Sequence, residues 1–275
     1  MRPMTAVLNI LGVAFVLTTG VAAADGLESS DQSHLAALAE PLPTPAQPET
    51  WVGSGQGGLL ITSGNTPALT INGKLDLSHS HGGWKQAVFA SALYGRNQGQ
   101  MNGERGEFRY QLDRQIEGRN YWFTGLDAVR DLFSGYRVRV TVSTGLGRRF
   151  VDSDTAKLSA NVGVGYEVFA EQDLIRDDSG NLIGRVNGPT VHGIAATFGL
   201  KGERRLTANT SLQENLAITS ATGKTSIASD LALHISLGNR LALSVGYDLR
   251  ANTNPPLGAK KIDQGTTLNV VYALH

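Results

Sequence analysis

The sequence predicts an all-β fold, a transmembrane antiparallel up-and-down β-barrel of about twelve strands, from three observations. Apolar and polar residues alternate with a period of two through almost all of 51–275. The alternating runs are each about 10–15 residues long, whereas strands of soluble sheets average about 5–6. An export signal stands at the N-terminus.

Arg2 precedes an apolar run from Val7 to Leu17, broken only by Asn9, and the small residues Gly20-Val21-Ala22-Ala23-Ala24 follow it. A basic start, a short apolar core and an A-x-A site make 1–24 a secretory signal peptide, cleaved after Ala24 and too short for a committed transmembrane helix. From 25 to 50 the chain is rich in Ser, Ala and Pro, with Pro41, Pro43, Pro45 and Pro48 spaced so that neither a helix nor a sheet ladder runs through them. This stretch reads as a periplasmic tail or linker, leaving 51–275 as the barrel.

The clearest strand lies within Thr66 to Ser80, where Leu69, Ile71, Gly73, Leu75 and Leu77 alternate with Thr70, Asn72, Lys74, Asp76 and Ser78. The pleat puts the first row on one face and the second on the other. The same pattern recurs from Tyr136 to Leu146, Lys157 to Glu167, Asp230 to Leu237 and Gly265 to Leu274. Weaker runs cover Trp51 to Thr62, Trp84 to Arg96, Glu104 to Ile116, Tyr121 to Leu132, Val191 to Leu200, Leu206 to Ile218 and Leu241 to Arg250. A tilted strand of about 9–11 residues crosses the hydrocarbon layer, and an even strand count returns the chain to its side of entry.

With the first strand starting in the periplasm, the longest connections, around Gln98 to Gly103, Glu171 to Pro189 and Asn252 to Ile262, all fall outside the cell. The periplasmic set is then His81-Gly82-Gly83, Glu117 to Asn120, Asp152 to Asp154, Gly202 to Arg205 and Gly238 to Arg240, all short and rich in turn residues. Aromatic residues including Trp51, Trp84, Tyr121, Trp122, Phe150, Tyr166, Phe169 and Tyr247 lie mostly near strand ends, at headgroup level. Alternation alone also fits a soluble barrel or sandwich with the apolar row inward. The export signal, strand length and loop asymmetry favour the membrane.

Composition agrees. Charged residues are 17% of the chain, against about 25% in an ordinary soluble domain, as expected if one face of every strand meets lipid. The chain has no Cys, which removes disulfide scaffolds and thiolate metal sites. Lys and Arg total 24 against 24 Asp and Glu, so no basic footprint draws it to nucleic acid. The expected surroundings are the outer-membrane bilayer and, for the lumen, small polar solutes. No cofactor is expected.

The segments Trp51-Val-Gly-Ser-Gly, Thr62-Ser-Gly-Asn-Thr66, Tyr110-Gln-Leu-Asp-Arg114, Tyr121-Trp-Phe123, Asp131-Leu-Phe133 with Tyr136, Gly145-Leu-Gly147 and Gly258-Ala-Lys-Lys-Ile-Asp263 resemble the salt-induced outer-membrane proteins of the YdiY-like family. The resemblance spans about 51–275 and implies an outer-membrane barrel associated with salt or envelope stress, inserted by the barrel-assembly machinery. Such barrels usually end in an aromatic residue, whereas this chain ends Tyr272-Ala-Leu274-His275, with Leu274 in the aromatic's place.

On the same register the inward rows carry Lys74, Asp76, Lys85, Glu107, Arg109, Asp113, Asp127, Asp131, Arg137, Arg139, Lys157, Glu167, Asp230, Asp248 and Arg250. Acids and bases are closely matched, so the lumen is either filled by paired charges or lined as a narrow, weakly selective path. Asp127 and Asp131, facing Arg137 and Arg139 on the next strand, are the candidates for a constriction. No catalytic residue is assigned. An outer-membrane esterase or phospholipase is the alternative, and it needs a nucleophile and base within hydrogen-bond reach. Ser78-His79-Ser80-His81 is the cluster that offers one, and His79-x-His81 alone is too few ligands for a metal. Gly145-Leu-Gly147 and Gly163-Val-Gly165 lack the following helix of a dinucleotide site and mark bends or close packing. Asp177-Asp178-Ser-Gly-Asn181 lacks the closing Glu of a calcium loop.

Overall fold

The computed structural model describes residues 51–62, 68–97, 100–134, 136–178, 182–255 and 261–274; the segments 1–24 and 25–50 lie outside them. The described residues form β1 (Val52–Thr62), β2 (Ala68–His81), β3 (Trp84–Asn97), β4 (Gln100–Gln115), β5 (Asn120–Asp131) and β6 (Tyr136–Asp152). The chain continues as β7 (Ala156–Arg176), β8 (Leu182–Arg205), β9 (Thr210–Ala221), β10 (Lys224–Ser236), β11 (Leu241–Asn252) and β12 (Ile262–Leu274). Each strand pairs antiparallel with its sequence neighbours, and β12 returns to β1 to close the barrel.

The pleat decides which row faces where. Ile194 is 78% exposed, Leu268 66%, Val162 63% and Leu146 58%, whereas Glu167 is 6% and Asn269 2% exposed. The apolar row is therefore the outer wall and the polar row the lumen, the reverse of a soluble barrel. Closure leaves no continuous free sheet edge to demand water within the hydrocarbon layer. Trp51, Trp84, Trp122, Phe150 and Tyr272 lie exposed on this wall toward the end with short turns, and Tyr166 and Tyr247 further toward the other. Such girdles mark the two headgroup levels of a membrane-spanning barrel of the outer-membrane type.

Turn chemistry sets two of the hairpins. Gly82 and Gly83, with φ of 56° and 78°, form the two-residue turn that β2 and β3 need for their twist. Thr222 and Gly223 make the equivalent turn between β9 and β10, with Thr222 at φ 48°. A β-branched residue is strained there. Thr222→Asn is expected to stabilise the barrel by about 1 kcal/mol, measured as a higher temperature for the shift in detergent-gel mobility.

Two predicted external loops are largely strand. β4 already begins at Gln100, and 171–189 is mostly a continuation of β7 and β8, whose ladder runs on through Asp173↔Val186 and Leu174↔Arg185. This hairpin rises beyond the ladders that β7 and β8 share with β6 and β9. It is pinned at its base. Gln172, 1% exposed, donates from Nε2 to the carbonyls of Asp131 and Ser134 at 3.2 and 2.9 Å, and Arg185 Nε donates to Leu132 O at 2.8 Å.

The seam between β1 and β12 is the shortest ladder, from Gly53↔Leu274 to Gly57↔Val270. Just beyond it Asn72 Nδ2 donates to Asn269 Oδ1 at 2.8 Å, linking β2 to β12 over Gly58. A Cβ on Gly58 would lie 2.8 Å from Leu268 O and closer still to both amide oxygens. Gly58→Val is thus expected to part this clamp and cost about 1–3 kcal/mol, read by the same gel-shift temperature.

Candidate functional site

The pleat makes the lumen an enclosed polar region, and β4 supplies its centre. Arg105, Glu107 and Arg109 alternate with Glu104, Gly106 and Phe108, so a positive, a negative and a positive side chain stand in line on the inner wall. Glu107, with only 7% of its side chain exposed, lies between the two arginines, 3.0 Å from Arg105 Nη2 and 2.8 Å from Arg109 Nε. The second contact is a close ion pair without hydrogen-bond alignment. Phe89, opposite Arg109 in the ladder, holds the guanidinium 4.2 Å over its ring.

From this row the charges extend around and across the barrel. Arg105 Nη1 reaches Asp131 at 3.4 Å, and Arg109 Nε lies 3.9 Å from Asp127 on the adjacent β5. Arg109 Nη2 also lies 3.9 Å from Asp230 on β10. In the closed strand order β4 and β10 stand opposite each other, so this pair crosses the lumen. Asp230 in turn accepts from Arg250 Nη2 at 2.6 Å, and Lys74 on β2 reaches Asp248 at 3.1 Å. Asp230 and Asp248 are direct cross-strand neighbours, and the bases beside them offset their repulsion. The result is an ionic belt from β2 through β11 and β10 to β4 and β5.

The predicted constriction residues separate. Asp127, Asp131 and Arg139 lie in this layer, Arg139 facing Asp127 and Glu167, whose carboxylate accepts from Thr141 at 3.2 Å. Asp131 also caps the β5–β6 connection, accepting from the amides of Phe133 and Ser134 at 2.9 and 3.1 Å. Arg137 leaves the row expected of it. A register shift between Tyr136 and Val138 breaks the parity of β6, and the exposed guanidinium donates to Asn187 of the protruding hairpin at 3.3 Å. Arg105 belongs to the belt by the parity of Glu107 and Arg109, a signal present in the sequence two residues upstream of Glu107. Lys201 also points into the lumen, one residue past the predicted end of its strand.

Two aromatic residues expected at headgroup level turn inward instead: Tyr121 is 3% and Phe169 6% exposed. Tyr121 stands opposite Gly147, Phe123 opposite Gly145, and Gly145 opposite Gly163. The rings lie along the wall in space left by the glycines. A Cβ on Gly163 would be 2.8 Å from Phe123 Cζ, one on Gly145 2.9 Å from Phe123 Cε1, and one on Gly147 would enter the Tyr121 ring. The paired glycine motifs therefore serve close packing, and the rings narrow the lumen beneath the belt.

In Ser78-His79-Ser80-His81 the pleat sends the serines inward and the histidines outward, with His79 5.5 Å from the Trp51 ring. Neighbouring hydroxyl and imidazole groups thus stand on opposite faces. Asp230, two side-chain steps from His234, is engaged by arginines. Among the described residues no cluster of three or more His, Asp or Glu could hold a metal ion; most of the 177–181 turn lies outside them. A depression of about 410 Å³ lies on the outer wall where Gly73, Ala92 and Gly106 align.

The chain is 23% identical to YdiY of Escherichia coli (strain K12), an uncharacterized protein, over 230 residues covering 81% of this chain and 82% of YdiY. Its fold is similar to that of the NanC porin, with a TM-score of 0.46 at 9% identity over 82% of this chain and all of NanC. It is also similar to the COG4313 outer-membrane channel of Pseudomonas putida F1, with a TM-score of 0.43 at 12% identity over 82% and 94% of the two chains. Residues 56–274 match the family described as protein of unknown function DUF481, and with nearly the whole barrel covered the chain belongs to that family.

Proposed function

We propose that this outer-membrane barrel is a narrow, weakly selective conduit for water and small ions, and that its ionic belt excludes larger solutes and gives it a mainly structural place in the envelope. The observation that carries this reading is the Arg109–Asp230 pair, which joins opposite walls. An interior bridged by side chains leaves gaps between ion pairs rather than an aqueous channel. Near-balance of acids and bases in the belt gives neither ion sign a clear preference.

Planar-bilayer recording of the refolded mature chain tests the proposal. Small, stable steps with cation and anion permeabilities close to each other are expected, and vesicles carrying the protein should not swell in sugar solutions. Large porin-like steps or sugar-driven swelling would overturn it. The esterase or phospholipase alternative predicts lipid hydrolysis that is lost in Ser78→Ala or Ser80→Ala; the opposed faces of those serines and their neighbouring histidines favour the conduit. A role in salt or envelope stress fits a load-bearing barrel and belongs to the same proposal: loss of the gene should slow growth in high salt, with restoration by the intact chain.

A further inference from the structure

Beneath the belt, toward the short turns, the lumen encloses a second and chemically different space. It measures about 60 Å³ and is bordered by Lys85 on β3, Arg149 on β6 and Lys201 on β8, together with Asp113, Tyr121 and Ser159. Such a volume holds about four or five waters, or one tetrahedral oxyanion. In the belt above, Glu107, Asp127, Asp131, Asp230 and Asp248 each have a base at ion-pair distance. Here three cations converge from three separate strands, and among the described residues none of them has a carboxylate at ion-pair distance.

Asp113, opposite Lys85 in the β3–β4 ladder, belongs to the lining but makes no ion pair with any of the three and accepts from Gln111 Nε2 at 2.7 Å. Asp76 faces Lys201 from the opposite wall and lowers the local positive potential without pairing with it. Arg149 is fixed in place, donating to Gln115 Oε1 with its guanidinium 5.2 Å over the Tyr121 ring. Lys85 and Lys201 remain accessible from inside the barrel. Three bases against these two acids leave the space with a net positive charge, which a low-dielectric wall focuses.

We propose that this chamber is an oxyanion-binding subsite for a phosphate or carboxylate group, held by Lys85, Arg149 and Lys201 before a solute reaches the belt. The proposal rests on the reading of the lumen as a solute path, yet binding can be measured without conduction. Phosphorus NMR of inorganic phosphate, titrated with the refolded mature chain in detergent, is expected to show saturable line broadening. Lys85→Gln/Lys201→Gln should weaken binding by about tenfold or more, while Arg137→Gln at the protruding hairpin leaves it nearly unchanged. Heat-modifiable migration of each variant establishes that the barrel has formed. Acetate competing with phosphate would place a carboxylate in the same chamber, and failure to compete would confine the subsite to phosphate.

An absence of broadening with the intact chain overturns the subsite, as does equal broadening in the lysine variant, which would locate the phosphate elsewhere. If the intact barrel is silent in bilayers and still binds phosphate through the two lysines, the conduit reading fails and the subsite stands.

Discussion

Arg109→Ala is expected to raise the single-channel conductance of the barrel several-fold and to admit small sugars in vesicle-swelling assays. The guanidinium makes three contacts at once, with Glu107 at 2.8 Å and with Asp127 and Asp230 at 3.9 Å. Alanine deletes the member of the belt that crosses the lumen and leaves those three carboxylates facing a wider, wetter space. Excess negative charge then remains, so the variant should favour cations where the parent favours neither sign. The stability cost should stay below the ~3–5 kcal/mol seen when one partner of a dry buried pair is removed, because water enters to solvate the others. Asp230→Ala should widen the path too but leave Arg109 and Arg250 beside it, shifting the preference toward anions.

Gly147→Val should destabilise the barrel more than any belt substitution. The inserted side chain would occupy the space of the Tyr121 ring, which stands directly opposite on β5 and is 3% exposed. Overpacking of this kind costs about 1–3 kcal/mol or more when neither the ring nor the ladder can yield. Tyr121→Ala in the same chain should restore much of the loss, because it removes the atoms that collide. The coupling between the two substitutions, read from gel-shift temperatures of all four proteins, should be about 1–3 kcal/mol. Additive effects would place the strain of Gly147→Val in the backbone rather than against the ring.

The barrel was legible because one pleat rule runs through every strand. Leu69, Ile71, Leu75 and Leu77 could be placed on one face without knowing the partner strands, and hairpin connectivity then left little choice of topology. Identifying the lipid-facing row took strand length, since alternation is the same in a soluble barrel. The belt was legible by residue but not by partner. Asp127, Glu107, Arg109 and Asp230 all follow from parity, whereas the contact between Arg109 and Asp230 depends on closure and on the positions of two distant strands.

Arg137 illustrates the limit of parity. A bulge inserts one residue and moves its neighbours in the strand to the other face, and nothing in Tyr136-Arg137-Val138 announces it. Tyr121 and Phe169 lie near strand ends, yet each shares the parity of an inward acid, Asp127 and Glu167, and that parity turns the rings into the lumen. The long connection at 171–189 carries turn-like residues, including Gly188 and Pro189, yet its cross-strand pairs and the anchoring of Gln172 keep it a hairpin.

The claim that ion pairs join opposite walls and close the lumen is tested most directly by reversing one such pair. Arg109→Asp and Asp230→Arg should each raise conductance, the first favouring cations and the second anions, because each places like charges together across the lumen. The double substitution Arg109→Asp/Asp230→Arg recreates the pair with opposite polarity and should return conductance toward the parent value. If the double variant conducts as the sum of the two single variants, the walls are not coupled through this pair, and the account of a belt-closed lumen is contradicted.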